Sequence, residues 1–327
     1  MIPFSILDLA TISEGHSLAS ALEQTRNTAI AAEKAGYHRY WLAEHHGMRS
    51  VASSATSVLL SHIGAHTQRI RIGSGGVMLP NHSPLVIAEQ YGTLAELYPG
   101  RVDLGLGRAP GTDMTTARAL RRQMNDSVDS YPNDIVELQR YLSDQEQPVL
   151  AIPGQGTNVP LWLLGSSLYS AELASYLGLP YAFASHFAPD DLIPAMQVYR
   201  DGFRPSEQQE SPYAMAGVMV VLADTDDEAQ RLFTSVQQKF RQMRTGENTP
   251  MPAPIDTMEG VWSESEKAMV NHILRYAMVG TPESVKPKLT QFIEQTGIDE
   301  LIVSIPIHDP DARLHCLTQL AELRNSL

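Results

Sequence analysis

Short apolar runs rich in strand-forming residues alternate eight times with longer stretches of helical periodicity, a pattern that a parallel sheet satisfies either as an open doubly wound layer or as a closed barrel. The runs are Phe4 to Leu9, Arg39 to Ala43, Ile70 to Val77, Val102 to Leu106, Leu161 to Leu164, Tyr181 to Ser185, Met215 to Leu222 and Leu301 to Ile305. Between them, Leu18 to Ala35 steps by three or four through Leu18, Leu22, Thr25, Ala29 and Ala32, and Gly36 supplies a stop. Helices are also expected over Pro84 to Leu97, Asn133 to Leu142, Leu168 to Leu177, Asp190 to Tyr199, Asp226 to Met243, Pro282 to Gln295 and Asp311 to Leu327. A doubly wound sheet usually carries a glycine-rich dinucleotide loop after its first strand, but here that strand runs into Leu9-Ala10-Thr11-Ile12-Ser13-Glu14-Gly15. The tract from Gly105 to Gly111 fails the GxGxxG spacing because Pro110 takes the sixth place. The expected fold is therefore α/β, a single (β/α)8 TIM barrel over residues 1–327.

Such a barrel needs about 250 residues, so roughly 75 must sit in long connections, placed after the fourth strand (Arg108 to Pro132) and after the seventh (Thr245 to Glu266). The second of these, containing TPMPAPIDTMEG, is expected to be a mobile lid or a disordered insertion. The 24 basic residues stand against 37 acidic ones, and a net charge of -13 argues against nucleic acid and anionic membrane as partners. No apolar stretch of about 18 residues and no basic leader are present, and Cys316 has no partner for a disulfide, so a cytoplasmic protein is expected. Leu59, Leu60, Ile63, Val86, Ile87, Gln90 and Leu94 give the second and third helices broad apolar faces, from which a homodimer is expected.

In a parallel barrel, function gathers where strands end. Here those ends are polar and rich in glycine: Glu44-His45-His46, Gly73-Ser74-Gly75-Gly76, Gly105-Leu106-Gly107-Arg108, Gly165-Ser166-Ser167 and Ser185-His186. The Glu44-His45-His46 cluster admits metal binding, acid/base catalysis or structural hydrogen bonding. Adjacent residues on an extended strand face opposite ways, which makes a metal the weakest of the three. Gly165-Ser166-Ser167 before a helix suits an anion as well as a plain N-cap, and Arg108 suits the same anion or a surface ion pair.

The motifs YWLAEHHG, IGSGGVMLPNHSPLVIAEQ, LYPGRVDLGLGRAPG and WLLGSS, in this order and spacing, resemble the successive strand ends of bacterial luciferase-like, flavin-dependent monooxygenases. The resemblance spans nearly the whole chain and is nearest to members sharing LGLGRAPG and LLGSS. It implies that His45 is the active-site histidine and that Gly75-Gly76 forms a non-prolyl cis peptide under the flavin. It places Gly107 where luciferases carry a reactive cysteine, and Arg108 near the FMN phosphate. By the same resemblance Gly165, Ser166, Ser167 and Tyr169 would form the phosphate cradle, and His186 would stand where the family has a tryptophan. Asp8, Glu44, His46 and His186 are expected to line a substrate pocket, with no metal. The implied activity uses reduced FMN from a separate, transiently bound flavin reductase. Oxygen passes through a C4a-peroxyflavin to a small organic molecule, with an aldehyde or other apolar carbonyl compound suggested. The alternatives are a deazaflavin (F420)-dependent dehydrogenase on the same fold, a metal-dependent barrel hydrolase and a flavin-binding protein without turnover.

Overall fold

The computed structural model describes residues 2–109, 111–120 and 130–327. Its strands are β1 (Phe4–Asp8), β2 (Arg39–Leu42), β3 (Arg71–Met78), β4 (Val102–Gly107), β5 (Leu161–Gly165), β6 (Tyr181–Phe183), β7 (Ala214–Leu222), β8 (Met278–Gly280) and β9 (Glu300–Ser304). The helices are α1 (Leu18–Lys34), α2 (Thr56–His66), α3 (Pro84–Leu97), α4 (Met114–Leu120), α5 (Tyr131–Leu142), α6 (Leu168–Leu177), α7 (Leu192–Gly202), α8 (Asp226–Thr245), α9 (Glu264–Ile273), α10 (Pro282–Thr296) and α11 (Pro310–Arg324). Strands β1 to β7 and β9 pair in parallel, and β6 joins β7 while β9 joins β1, closing a ring of eight. This is the expected (β/α)8 barrel.

All eight expected strands form, most with ends shifted by a residue or so. The sixth stops at Phe183 rather than Ser185, because the Ser185 N–H turns back to Phe183 O at 3.0 Å and its hydroxyl donates to Gly217 O at 2.6 Å. Three elements were not anticipated. Helix α4 lies in the connection after β4, α9 begins at the end of the 245–266 stretch, and β8 pairs only with the end of β7, outside the ring. Residues 110 and 121–129, within the long connection expected after the fourth strand, lie outside the described residues. Helix α1 buries Thr25, Ala29 and Ala32 as expected, but not Leu18 or Leu22 at the edge of that face. Leu18 is exposed, and the buried stripe is Ala21, Thr25, Thr28, Ala29 and Ala32. Gly36 does end it, with φ of +75°.

Two apolar layers follow from the alternation of side chains along each strand. The larger packs strands against helices. The smaller lies inside the ring and contains Leu7, Trp41, Trp162, Ala182, Met215 and Ile302, with the two indoles edge to face at 5.2 Å. Beneath it, the N-terminal end of the barrel is closed by charge. Arg39 donates to Asp103 at 2.7 Å and to Glu300 at 3.0 Å, and Arg71 bonds the other Asp103 oxygen. The Trp41 indole, the Tyr213 hydroxyl and the Ser5 hydroxyl complete the carboxylates' shells. Burial alone would lower the pKa of the Arg39 guanidinium, but Asp103 and Glu300 hold it above its ordinary value.

Leu60, Ile63, Ile87 and Leu94 are buried in the chain's own core, which leaves Val58, Val86 and Leu97 as the exposed large apolar residues of α2 and α3. Among the described residues, no helix is long and apolar enough to cross a membrane.

Candidate active site

A cavity of about 570 Å³ opens at the C-terminal ends of the strands, within the usual range for small-molecule sites. His45, Gly75, Gly76, Gly107, Arg108, Gly165, Ser166, Ser167, Tyr169 and His186 all line it. Residues scattered over five strand ends thus face one space, because a closed parallel barrel puts every strand's C-terminus on the same rim.

The peptide between Gly75 and Gly76 is cis, as the resemblance implies. The need for glycine here is internal to the protein. A Cβ on Gly76 would lie 2.8 Å from Gly105 O, and one on Gly105 only 2.2 Å from Ser74 O, so β3 and β4 approach too closely for a side chain. A Cβ on Gly75 would meet Leu7 at 2.6 Å.

One side of the cavity is polar and positive. Arg108 lies over the Tyr169 ring at 4.3 Å, beside the start of α6, and forms no ion pair among the described residues. Ser167 is the N-cap of α6, and the Ser170 hydroxyl takes its N–H at 3.4 Å. Backbone donors, hydroxyls and a guanidinium therefore converge at a helix N-terminus, which is suited to a phosphate. The rest of the wall is mostly apolar: Trp41, Leu163, Met219, Phe240, Met251 and Ile302.

His45 and His186 also line the cavity. Both have a buried Nδ1 without a hydrogen-bond partner. Burial holds the His45 pKa below its ordinary value, with Glu44 opposing and His46 assisting. Burial, assisted by the nearby His45, pushes the His186 pKa down to about 4. Both imidazoles are thus neutral at pH 7. Below pH 6.5 the unfolded chain binds a proton at position 186 that the folded chain refuses until about pH 4, so stability should fall across that window as the pH drops. The decline in urea midpoint between pH 7 and pH 4.5 should accordingly be smaller in His186→Asn than in the parent; equal declines would refute it.

Asp8, Glu44 and His46 do not line the cavity, contrary to expectation. Leu7 takes the inward position on β1, so Asp8 points to the helix side, where it pairs with Arg313 at 2.6 Å and accepts the Tyr40 hydroxyl. Burial would raise its pKa, but Arg313, Tyr40 and the Ala10 N–H bring it below the ordinary value. Glu44 is buried behind the wall. Its Oε1 meets His46 Nε2 at 2.7 Å and His82 Nε2 at 2.8 Å, and Oε2 accepts the Met78 N–H at 3.2 Å. These bonds, His82's first, outweigh desolvation and keep the carboxyl pKa low. The cluster therefore splits: His45 faces the cavity, while Glu44 and His46 brace the end of β3 together with His82. The three ligand atoms lie within 4.8 Å of one another, so among the described residues the metal-like grouping joins Glu44 and His46 to His82 and leaves out His45.

Sequence reasoning missed His82, Tyr131 and the wall supplied by α8 and the segment after it. Val236, Lys239, Phe240, Met243 and Arg244 form one helical stripe along the cavity. The 245–266 segment crosses the barrel mouth: Met251 pairs with the loop after β1, through Ile12 O and the Glu14 N–H at 2.8 Å each, and Asn248 bonds Gly47 O at 2.7 Å. A lysine within the apolar stripe of α8 was the available signal.

The family model described as luciferase-like monooxygenase matches residues 2–300. The chain belongs to that family. A protein of Escherichia coli K12 named luciferase-like monooxygenase is 50% identical over 100% of this chain and 98% of its own. The crystal structure of apo-MsnO8 superposes with a TM-score of 0.93, at 36% identity and 99% coverage of both chains. A more distant structure, the oxygenating constituent of 3,6-diketocamphane monooxygenase from Pseudomonas putida in complex with FMN, shares the fold at a TM-score of 0.73 and 17% identity, covering 98% of this chain and 97% of its own.

Proposed function

We propose that this luciferase-like protein is an FMN-dependent monooxygenase that accepts reduced FMN from a separate reductase and inserts one atom of O2 into a small, largely apolar organic substrate. The observation that carries the reading is the polarity of this cavity: an anion cradle at one side, a mostly apolar wall over the rest, and two neutral imidazoles in its lining. The residues fit a phosphate-bearing flavin, since Arg108 has no competing carboxylate among the described residues and sits at the N-terminus of α6. When bound, reduced flavin supplies the activation of oxygen and its transfer.

The chain's own work is then distinct. Arg108, Ser166, Ser167 and the first N–H groups of α6 hold the phosphate. Trp41, Leu163, Met219 and Ile302 exclude water from the reacting centre. His45, neutral and with a free ring nitrogen, holds or moves a proton there.

Arg108→Ala should weaken FMN binding roughly 10- to 100-fold while riboflavin, which lacks the phosphate, loses far less, because charge-assisted bonds are each worth roughly 1.5–3 kcal/mol. Flavin fluorescence titrations would measure both. Equal losses would place the arginine at the ring or in the scaffold. Anaerobic hydride transfer to F420, without substrate-dependent oxygen uptake in the presence of reduced FMN, would overturn the oxygenase reading in favour of a dehydrogenase.

A further inference from the structure

We infer that the substrate carries a carboxylate on an apolar body, and that Lys239 is the counter-ion built into the cavity to receive it. The inference rests on the reading that substrate and flavin share this cavity, and it assigns a second anion subsite distinct from the phosphate cradle.

The chain carries 37 acidic residues and a net charge of -13, yet among the described residues no aspartate or glutamate lines the cavity, whereas Arg108, Lys239 and Arg244 do. A positive pocket in a negative protein selects anions. Arg108 is accounted for by the cradle. Arg244 is exposed at the rim, its Nε at 3.2 Å from Met269 Sδ. Lys239 is different: the residue is only 7% exposed, lies on the apolar stripe of α8 between Val236 and Phe240, and makes no salt bridge among the described residues. Its ammonium meets Thr249 O at 2.5 Å. That leaves two of its three donors with no acceptor among the described residues. The acid nearest in influence, Glu247, is exposed and already accepts the Thr245 hydroxyl at 2.8 Å. A buried cation without a paired anion is costly, and burial lowers its pKa accordingly. A ligand carboxylate removes that cost.

Topology separates the two anion positions. Ser166 follows β5. Thr249 belongs to the strand-like segment whose Met251 pairs with residues 12–14, which follow β1. In the eight-strand ring β1 and β5 are diametrically opposite. A molecule whose charge meets Lys239 therefore lies across the mouth from the phosphate cradle, its apolar body against Phe240, Met251 and Ile302.

Calorimetric titration of the full chain saturated with FMN, using decanoate, 1-decanol and decylamine as probes, tests this. Decanoate should bind roughly 10- to 100-fold more tightly than decanol, with decylamine weakest. Lys239→Met should bring decanoate and decanol to parity without changing FMN affinity, and Lys239→Arg should keep the preference, which guards against a fold lost on substitution. Equal binding of decanoate and decanol by the parent, or a preference surviving in Lys239→Met, overturns the assignment. So does a decanoate preference that saturating FMN abolishes, because the carboxylate would then have been in the phosphate cradle. FMN affinity is read separately, so a chain that prefers decanoate but binds no FMN keeps Lys239 as an anion site and removes the flavin reading instead.

Discussion

Replacing His45 with alanine should lower substrate turnover about 100-fold or more, the usual contribution of a positioned proton donor or acceptor, while FMN affinity stays nearly unchanged. The expectation follows from where the ring sits. It faces the cavity, its Nδ1 is buried and unpartnered, and burial keeps it neutral near pH 7, so it can take a proton from a cavity occupant and return it. A residue that only shaped the pocket would change KM more than kcat. Steady-state kinetics at saturating reduced FMN, paired with flavin titration, separates these cases. Unchanged kcat in His45→Ala would assign the histidine to the wall, and a parallel collapse of FMN binding would assign it to cofactor placement.

The second large effect belongs at the opposite end of the barrel. Asp103→Ala should destabilise the protein by about 3–5 kcal/mol, the range for removing one partner of a buried ion pair. Asp103 is fully buried and receives Arg39 and Arg71 together with the Trp41 indole, so its loss leaves Arg39 with Glu300 alone and Arg71 with no carboxylate among the described residues. Urea unfolding monitored by tryptophan fluorescence measures the change, since Trp41 and Trp162 lie on the same network. A loss below about 1 kcal/mol, the level of a solvent-exposed pair, would mean that water reaches the charges and the plug is not sealed.

The eight strands could be read from sequence because each is a short apolar run bounded by turn residues, and the site could be read because glycine, serine and histidine gather at the strand ends. What could not be read was which way single residues point. In a parallel barrel both sheet faces are buried, so the polar alternation that reveals inward and outward positions on an antiparallel strand is absent. Leu7 and Asp8 illustrate it: nothing local says that the leucine enters the barrel and the aspartate meets Arg313, more than 300 residues away in the chain. Glu44 was misplaced for the same reason, its partner His82 lying 38 residues further on. Arg39, Asp103 and Glu300 passed unnoticed because a charge at a strand's start is ordinarily solvated, and only ring closure brings the three together.

Ring closure also has a temporal side. Strand β9 is the keystone between β1 and β7, hydrogen-bonded to both. During synthesis from the N-terminus, the flanks of β1 and β7 therefore wait with unpaired N–H and C=O groups until residues 300–304 have left the ribosome. Exposed strand flanks are templates for pairing with other chains. The polypeptide is thus vulnerable to misassembly until β9 has emerged, and the cavity, whose wall includes Ile302 and Ser304, is complete only once that strand is in place.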